Sequence, residues 1–182
     1  VKTIETGLPG VLLVEPTLHR DNRGYLWESH HKERYAEAGI DVRFVQDNHS
    51  RSRKNVVRAL HAQQQQAKLI TVARGAIYDV AVDIRPESST FRRWFGVRLD
   101  DVEHRQLYLP PGFAHGFCVL SEEADVLYKT TDYYRPDRQI AILWNDPDLA
   151  IDWPVVDPIL SDRDRTNPRL AQLPLQVLVQ AR

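Results

Sequence analysis

Short runs of β-branched and aromatic residues, each cut off by Gly, Pro, Asn or Asp, recur about every ten residues along most of this chain. "VLLVEP", "YLWES", "VRFVQ", "VVRALHA", "KLITVA" and "AIYDVAVDI" belong to the series, and so do "RWFGVRL", "QLYLP", "HGFCVL", "ADVLYKTT" and "IAILW". Such side chains suit a pleated surface, and this rhythm of strands and turns predicts an all-β sandwich or barrel. "ARGA" reads as a hairpin turn. "LPPGFAHG" reads as a sharp corner, since neither proline can donate to a ladder. One helix is expected in "HHKERYAEAG", stopped at Gly39. No Gly/Ser linker, internal repeat or long charge block interrupts the 182 residues, so one domain is expected over 1–182, with a barrel core from about 10 to 145. After Trp153 the chain is rich in Pro, Asp and Arg and reads as an extended tail packing across the barrel mouth.

Charge narrows the function. A formal net charge of -1 provides no electrostatic footprint for nucleic acid or an anionic membrane, although a small anion needs only a few arginines. No apolar stretch has the length of a membrane span, and the N-terminus lacks a secretion signal, so a cytoplasmic protein is expected. The single cysteine, Cys118, lies in the apolar run "GFCVL" and reads as a buried inert thiol.

"VVRALHAQQQQAKLI" places His61 and Lys68 on either side of four glutamines, which read as a loop between two strands. Arg58 and His61 are three apart, so an ideal strand points them to opposite faces. Both line one pocket only if a bulge intervenes or the pocket wraps round the strand end. His115 follows the proline corner, and a lone histidine at a strand end is more often structural than catalytic. Gln46, Asp47 and Asn48 stand at a strand end, where turn chemistry explains them as well as a polar ligand does. Arg23 and Glu28 flank Gly24, and an arginine fork suits phosphate or carboxylate but is usually just solvated. "VLYKTTDYY" holds Tyr128, Lys129, Tyr133 and Tyr134; tyrosines in strands mostly pack, yet a phenol at a pocket is a competent general acid. In "LSDRD", Asp162 and Asp164 read as solvated unless one returns to a histidine and sets its tautomer. "DIRPESST" reads as structural turn material. No His-x-His or His-x-Glu pair shares a strand face, so no metal is expected, and neither a Gly-rich phosphate loop nor a nucleophile elbow is present.

Taken in order, "DNRGYLWES", "FVQDNHSRS", "VVRALH", "AKLITVARGAIYDVAVDIRPESSTF", "RQLYLPPGFAHGF", "VLYKTTDYYRPD", "LWNDPDLAIDWP" and "LSDRD" resemble the dTDP-4-dehydrorhamnose 3,5-epimerase family. The resemblance covers about residues 5 to 165. It implies a cupin-like jelly-roll barrel with one or a few short peripheral helices. By the same resemblance His61 is the general base, Tyr128 the general acid, Asp164 the partner of the histidine, and Lys68 the group near the sugar oxygen. Arg23, Glu28, Gln46, Asp47, Asn48, Arg58 and His115 match substrate-binding positions, and Tyr134 matches the residue that stacks on thymine. Gln139 and Arg163 also fall at substrate positions, where glutamate and lysine are common. The resemblance further implies a homodimer in which N-terminal strands reach to the partner, and a reaction without cofactor.

The implied chemistry suits these residue types. A 4-keto sugar has acidic C–H bonds at C3 and C5, because the anion spreads onto O4. An imidazole is matched to take such a proton, a lysine to meet the oxyanion, and a second group to reprotonate from the other face. The chain departs from the family at this place: Ala59 replaces a glycine, Ala62 an aromatic residue, and the His61-to-Lys68 connection is shorter than usual. These departures leave open a C3-only epimerase or another nucleotide sugar. A non-catalytic sugar-nucleotide-binding barrel is the third reading, weakened because it needs neither base nor acid.

Overall fold

The computed structural model describes residues 1–178. In chain order the strands are β1 Lys2–Glu5, β2 Leu12–Glu15, β3 His19–Asp21, β4 Gly24–Leu26, β5 Gln46–Arg53, β6 Val57–Gln63, β7 Lys68–Arg74, β8 Ala76–Asp83, β9 Trp94–Asp100, β10 Gln106–Leu109, β11 Phe113–Val119, β12 Glu123–Thr130 and β13 Gln139–Ala141. The helices are α1 Lys32–Glu37, α2 Asp162–Thr166 and α3 Leu175–Leu178. None is long and apolar enough to cross a membrane.

Two antiparallel sheets face each other. The first runs β1-β2-β10-β7-β12-β5 and the second β13-β6-β11-β8-β9, with β3 and β4 forming a separate hairpin. Facing sheets stand about 10 Å apart, a gap that inward side chains must fill. Ile70, Val72, Leu107 and Val126 of the first sheet meet Ile77, Ala81, Phe113 and Phe117 of the second there. Consecutive strands often belong to different sheets, and the architecture is a cupin-like jelly roll.

Both sheets are also covered from behind. Tyr35 of α1 and Ile40 pack on Val14, Leu69 and Tyr108 behind the first sheet. Trp153, Leu170 and Leu178 pack on Val57, Leu60, Val80 and Cys118 behind the second. The second sheet is therefore apolar on both faces, which explains the nearly unbroken apolar stretch "AIYDVAVDI". The tail accordingly covers the back of a sheet rather than only the barrel mouth, and it carries α2 and α3 rather than remaining extended throughout.

Three local expectations change. "ARGA" joins β7 to β8, but these strands lie in opposite sheets, so Gly75, at φ 81°, makes a corner between sheets and not a hairpin. "VRFVQ" is a strand only at Gln46. The strand is instead the polar run "QDNHSRSR", bonded residue for residue to β12. Hydrophobic content concealed it, because an edge strand wets its outer face: Asp47, His49, Arg51 and Arg53 are exposed, while Gln46, Asn48, Ser50 and Ser52 turn inward. The glutamine tract is not all loop, since Gln63 ends β6.

Candidate active site

At one end of the sandwich the apolar filling stops and a cavity of about 730 Å³ opens between the sheets. Inward alternation on the first sheet delivers Gln46 and Asn48 from β5, Lys68 from β7 and Tyr128 from β12. The second sheet delivers Arg58 and His61 from β6 and His115 from β11. Arg58 and His61 share the cavity because β6 slips against β11: His115 is opposite His61, while Phe117 is opposite Arg58. Two steps on β11 thus match three on β6, and this extra residue turns both side chains inward.

Each histidine of the cavity rests on a carboxylate. His61 Nε2 lies 2.7 Å from Asp164 Oδ1, and His115 Nε2 lies 2.7 Å from Asp79 Oδ1. Asp164 reaches His61 from α2, which is capped by the Ser161 side chain accepting from the Asp164 main-chain N–H. Burial pushes the Asp164 carboxyl up, but the hydrogen bond and charge of His61, with Ser161 and the Ala59 main chain, hold it below the ordinary value. An ionised carboxylate only accepts, so Nε2 of His61 carries the hydrogen and Nδ1 keeps its lone pair.

Asp79 is fully buried, and burial pushes its carboxyl up against the opposing pull of His115 and Lys68. Its Oδ2 has no hydrogen-bond partner. The sequence reading missed Asp79. An aspartate inside the apolar run "AIYDVAVDI" was a usable signal, since a buried carboxylate demands a partner.

Lys68 is 9% exposed and donates from Nζ to the His61 carbonyl at 3.1 Å. Burial brings its ammonium down to about 8, with Asp79 acting in the other direction. Burial likewise raises the Tyr128 phenol, so it stays protonated. Lys68 pairs with Thr130, and Tyr128 with Ile70, on adjoining strands, which makes Lys68 and Tyr128 diagonal neighbours on one inner face. Asn48 Nδ2 and Ser50 Oγ line the same cavity, buried and without a partner, as hydrogen-bonding groups prepared for a ligand are. Ser50 was also missed, hidden in a stretch read as turn.

Tyr134, Gln139 and Arg163 stand at the mouth. Tyr134 is 53% exposed, and its hydroxyl donates to Gln139 Oε1 at 3.2 Å. Three of the expected substrate contacts stand away from this cavity. Asp47 lies on the outer face of β5, paired at 2.9 Å with Lys129 and lining a second depression of about 380 Å³. Strand alternation forces this, because Gln46 and Asn48 take the inner face. Arg23 is exposed and paired with Asp21 at 2.6 Å at the β3–β4 turn, and Glu28 is paired with Arg34. Cys118 is buried, and burial raises its thiol to about 11, which suits an inert packing residue.

A family model described as dTDP-4-dehydrorhamnose 3,5-epimerase matches residues 5–172. The chain is 49% identical over 175 residues to the dTDP-4-dehydrorhamnose 3,5-epimerase of Pseudomonas aeruginosa, covering 94% of this chain and 97% of that one. It is 42% identical over 170 residues to a dTDP-4-dehydrorhamnose 3-epimerase of Streptomyces niveus, covering 91% and 82%. Among solved structures, the fold matches an epimerase from Legionella pneumophila Philadelphia 1 in complex with dTDP-4-keto-L-rhamnose, with a TM-score of 0.95, 46% identity, and 100% and 98% of the two chains covered. This chain, an isomerase by the same likeness, belongs to the dTDP-4-dehydrorhamnose 3,5-epimerase family.

Proposed function

We propose that this protein converts dTDP-4-dehydro-6-deoxy-D-glucose to dTDP-4-dehydro-L-rhamnose in the cytoplasm, as one domain, by inverting C3 and C5. The observation that carries this reading is that His61 and Tyr128 line one cavity from opposite sheets. A planar enolate held between them is met by a base on one side and an acid on the other, as inversion requires.

Each inversion has two proton transfers. His61 Nδ1 takes the proton from carbon, the electron pair moves onto O4, and the Lys68 ammonium meets the oxyanion. The Tyr128 hydroxyl then returns a proton to the opposite face of the carbon. The phenolate regains a proton and the imidazolium loses one to solvent, so the sum is a pure isomerisation. Asp164 holds His61 in the tautomer needed and stabilises it once protonated. His115, held by Asp79, is a second imidazole lining the cavity beside the sugar. Arg58 and Arg163 suit the diphosphate, and the exposed face of Tyr134 suits thymine.

The positions of Arg23 and Glu28 support a homodimer. Both are matched to substrate contacts, yet both stand away from their own chain's cavity. A second copy that received the β3–β4 hairpin would complete the site, and sedimentation at assay concentration tests it: a monomer with full activity ends the proposal.

The reaction is tested by turnover in heavy water, with the label located by NMR. Deuterium at C3 and C5 of the product supports the double epimerisation. Deuterium at C3 alone favours the second reading, a single-centre epimerase, which rests on the 42% identity to a 3-epimerase and on the altered rim at Ala62. Absence of label with dTDP still bound turns the reading to another sugar or to a non-catalytic barrel.

A further inference from the structure

Tyr133 and Tyr134 are 60% and 53% exposed, so little apolar packing holds the segment that carries them. Amide side chains grip it instead. Gln63 is 4% exposed and directs both amide hydrogens and its carbonyl oxygen to this one segment. Its Nε2 donates to the Tyr133 carbonyl at 2.9 Å and to Asp132 Oδ2 at 3.2 Å, and its Oε1 accepts from the Arg135 N–H at 2.8 Å. These bonds bracket Tyr134 on both sides. From the other sheet, Gln46 Oε1 accepts the Tyr134 N–H at 3.0 Å. Gln66 adds a bond to the Asp132 carbonyl at 2.9 Å.

Gln63 lies two residues after His61 on β6, and therefore on the same face of that strand. It is also the register partner of Gln139, whose Oε1 accepts from the Tyr134 hydroxyl. From these contacts we infer that Gln63 is a positioning residue that sets the ring of Tyr134 relative to His61, and so adjusts the grip on the nucleotide without touching the reacting carbons. This inference rests on the reading of Tyr134 as the nucleobase platform. It assigns the glutamine tract a task in substrate recognition rather than in closing a loop. A buried amide that bonds only one surface segment orders that segment first, because truncation leaves the Tyr133 carbonyl and Arg135 N–H to water rather than stranded in a core.

The test is a double-mutant cycle on dTDP affinity, measured by calorimetry, with kcat and KM alongside. Gln63→Met should weaken dTDP about ten-fold and raise KM by a similar factor, with kcat changed by no more than about two-fold. In a Tyr134→Ala background the same substitution should change affinity less than about two-fold, because the ring it positions is gone. An equal loss in both backgrounds, or a fall in kcat with KM unchanged, overturns the inference. Should Gln63→Met fail to fold, Gln63→Glu retains length and the acceptor for Arg135 while losing both donors, and the same split is expected. If Tyr134→Ala itself leaves dTDP affinity intact, the platform reading falls. If it weakens affinity and Gln63 variants do not, only the positioning role falls.

Discussion

Lys68 Nζ donates to the main-chain carbonyl of His61 at 3.1 Å, a bond that ties the first sheet to the second between the proposed base and its proposed oxyanion partner. The ammonium is buried, and burial has brought it down to about 8 from 10.5. As pH rises through about 8 the lysine loses its charge, so kcat should decline on that limb. Stability moves the other way. Folding lowers this pKa, so the unfolded chain holds the proton more tightly and the buried cation costs stability below about 8. That cost fades as pH rises and is gone above 10.5. Activity that falls above pH 8 while the urea midpoint shows no loss attributable to this group is the expected signature. Lys68→Met should remove the alkaline limb and cost roughly 10²–10³-fold in kcat. An unchanged limb would assign it to another group.

The acid role proposed for Tyr128 separates proton removal from inversion. Burial keeps its phenol protonated, and it stands across the cavity from His61. Tyr128→Phe leaves the base in place, so the carbon acid should still exchange in heavy water while product formation drops about 10²–10⁴-fold. NMR of recovered substrate should show deuterium with retained configuration. Equal loss of exchange and of inversion would remove Tyr128 from the acid role.

Asp164 fixes which nitrogen of His61 is free. Its carboxylate accepts from Nε2 at 2.7 Å, leaving the Nδ1 lone pair for the substrate. An amide in its place can donate to Nε2 and stabilise the wrong tautomer. Asp164→Asn should therefore lower kcat by roughly 10²–10⁴-fold while dTDP affinity and melting temperature remain close to those of the parent. An enzyme that keeps more than about a tenth of its kcat would make Asp164 a structural link between α2 and β6 and no more.

The strand rhythm and the corner at "LPPGFAHG" were legible because they rest on local propensity, whereas Lys68 and Tyr128 were singled out by the family resemblance and not by alternation. What remained hidden depended on partners distant in sequence. The joint placement of Arg58 and His61 needs a slip against β11 that no strand pattern displays. β5 was concealed because an edge strand is polar on its wet face, and strand propensity is largely a record of burial. Asp79 acquires its meaning only from His115, 36 residues later. "QQQQ" resembled loop because nothing in four identical amides tells which are buried, yet Gln63 and Gln66 are. The family resemblance implies Arg23 and Glu28 as substrate contacts, while one chain alone leaves both at the surface.

Ala59 and Gly116 exchange the roles that size assigns across β6 and β11. Ala59 stands where the family usually has glycine, is fully buried, and packs against Gly116 at the slip between His61 and Arg58. A Cβ added to Gly116 would overlap the Ala59 methyl and crowd the Ala59 Cα and the Arg58 carbonyl. Gly116 does not take a left-handed φ, so the obstacle is space and not conformation. Gly116→Ala should cost about 1–3 kcal/mol in urea denaturation, and because Arg58 and His61 flank the collision, kcat/KM should fall with it. Ala59→Gly in the same chain removes the methyl but leaves the main-chain crowding, so the pair should recover part of the loss and not all of it. If the double variant is no more stable than Gly116→Ala alone, the Ala59 methyl is not what Gly116 accommodates, and the strands at the slip are held apart by something else.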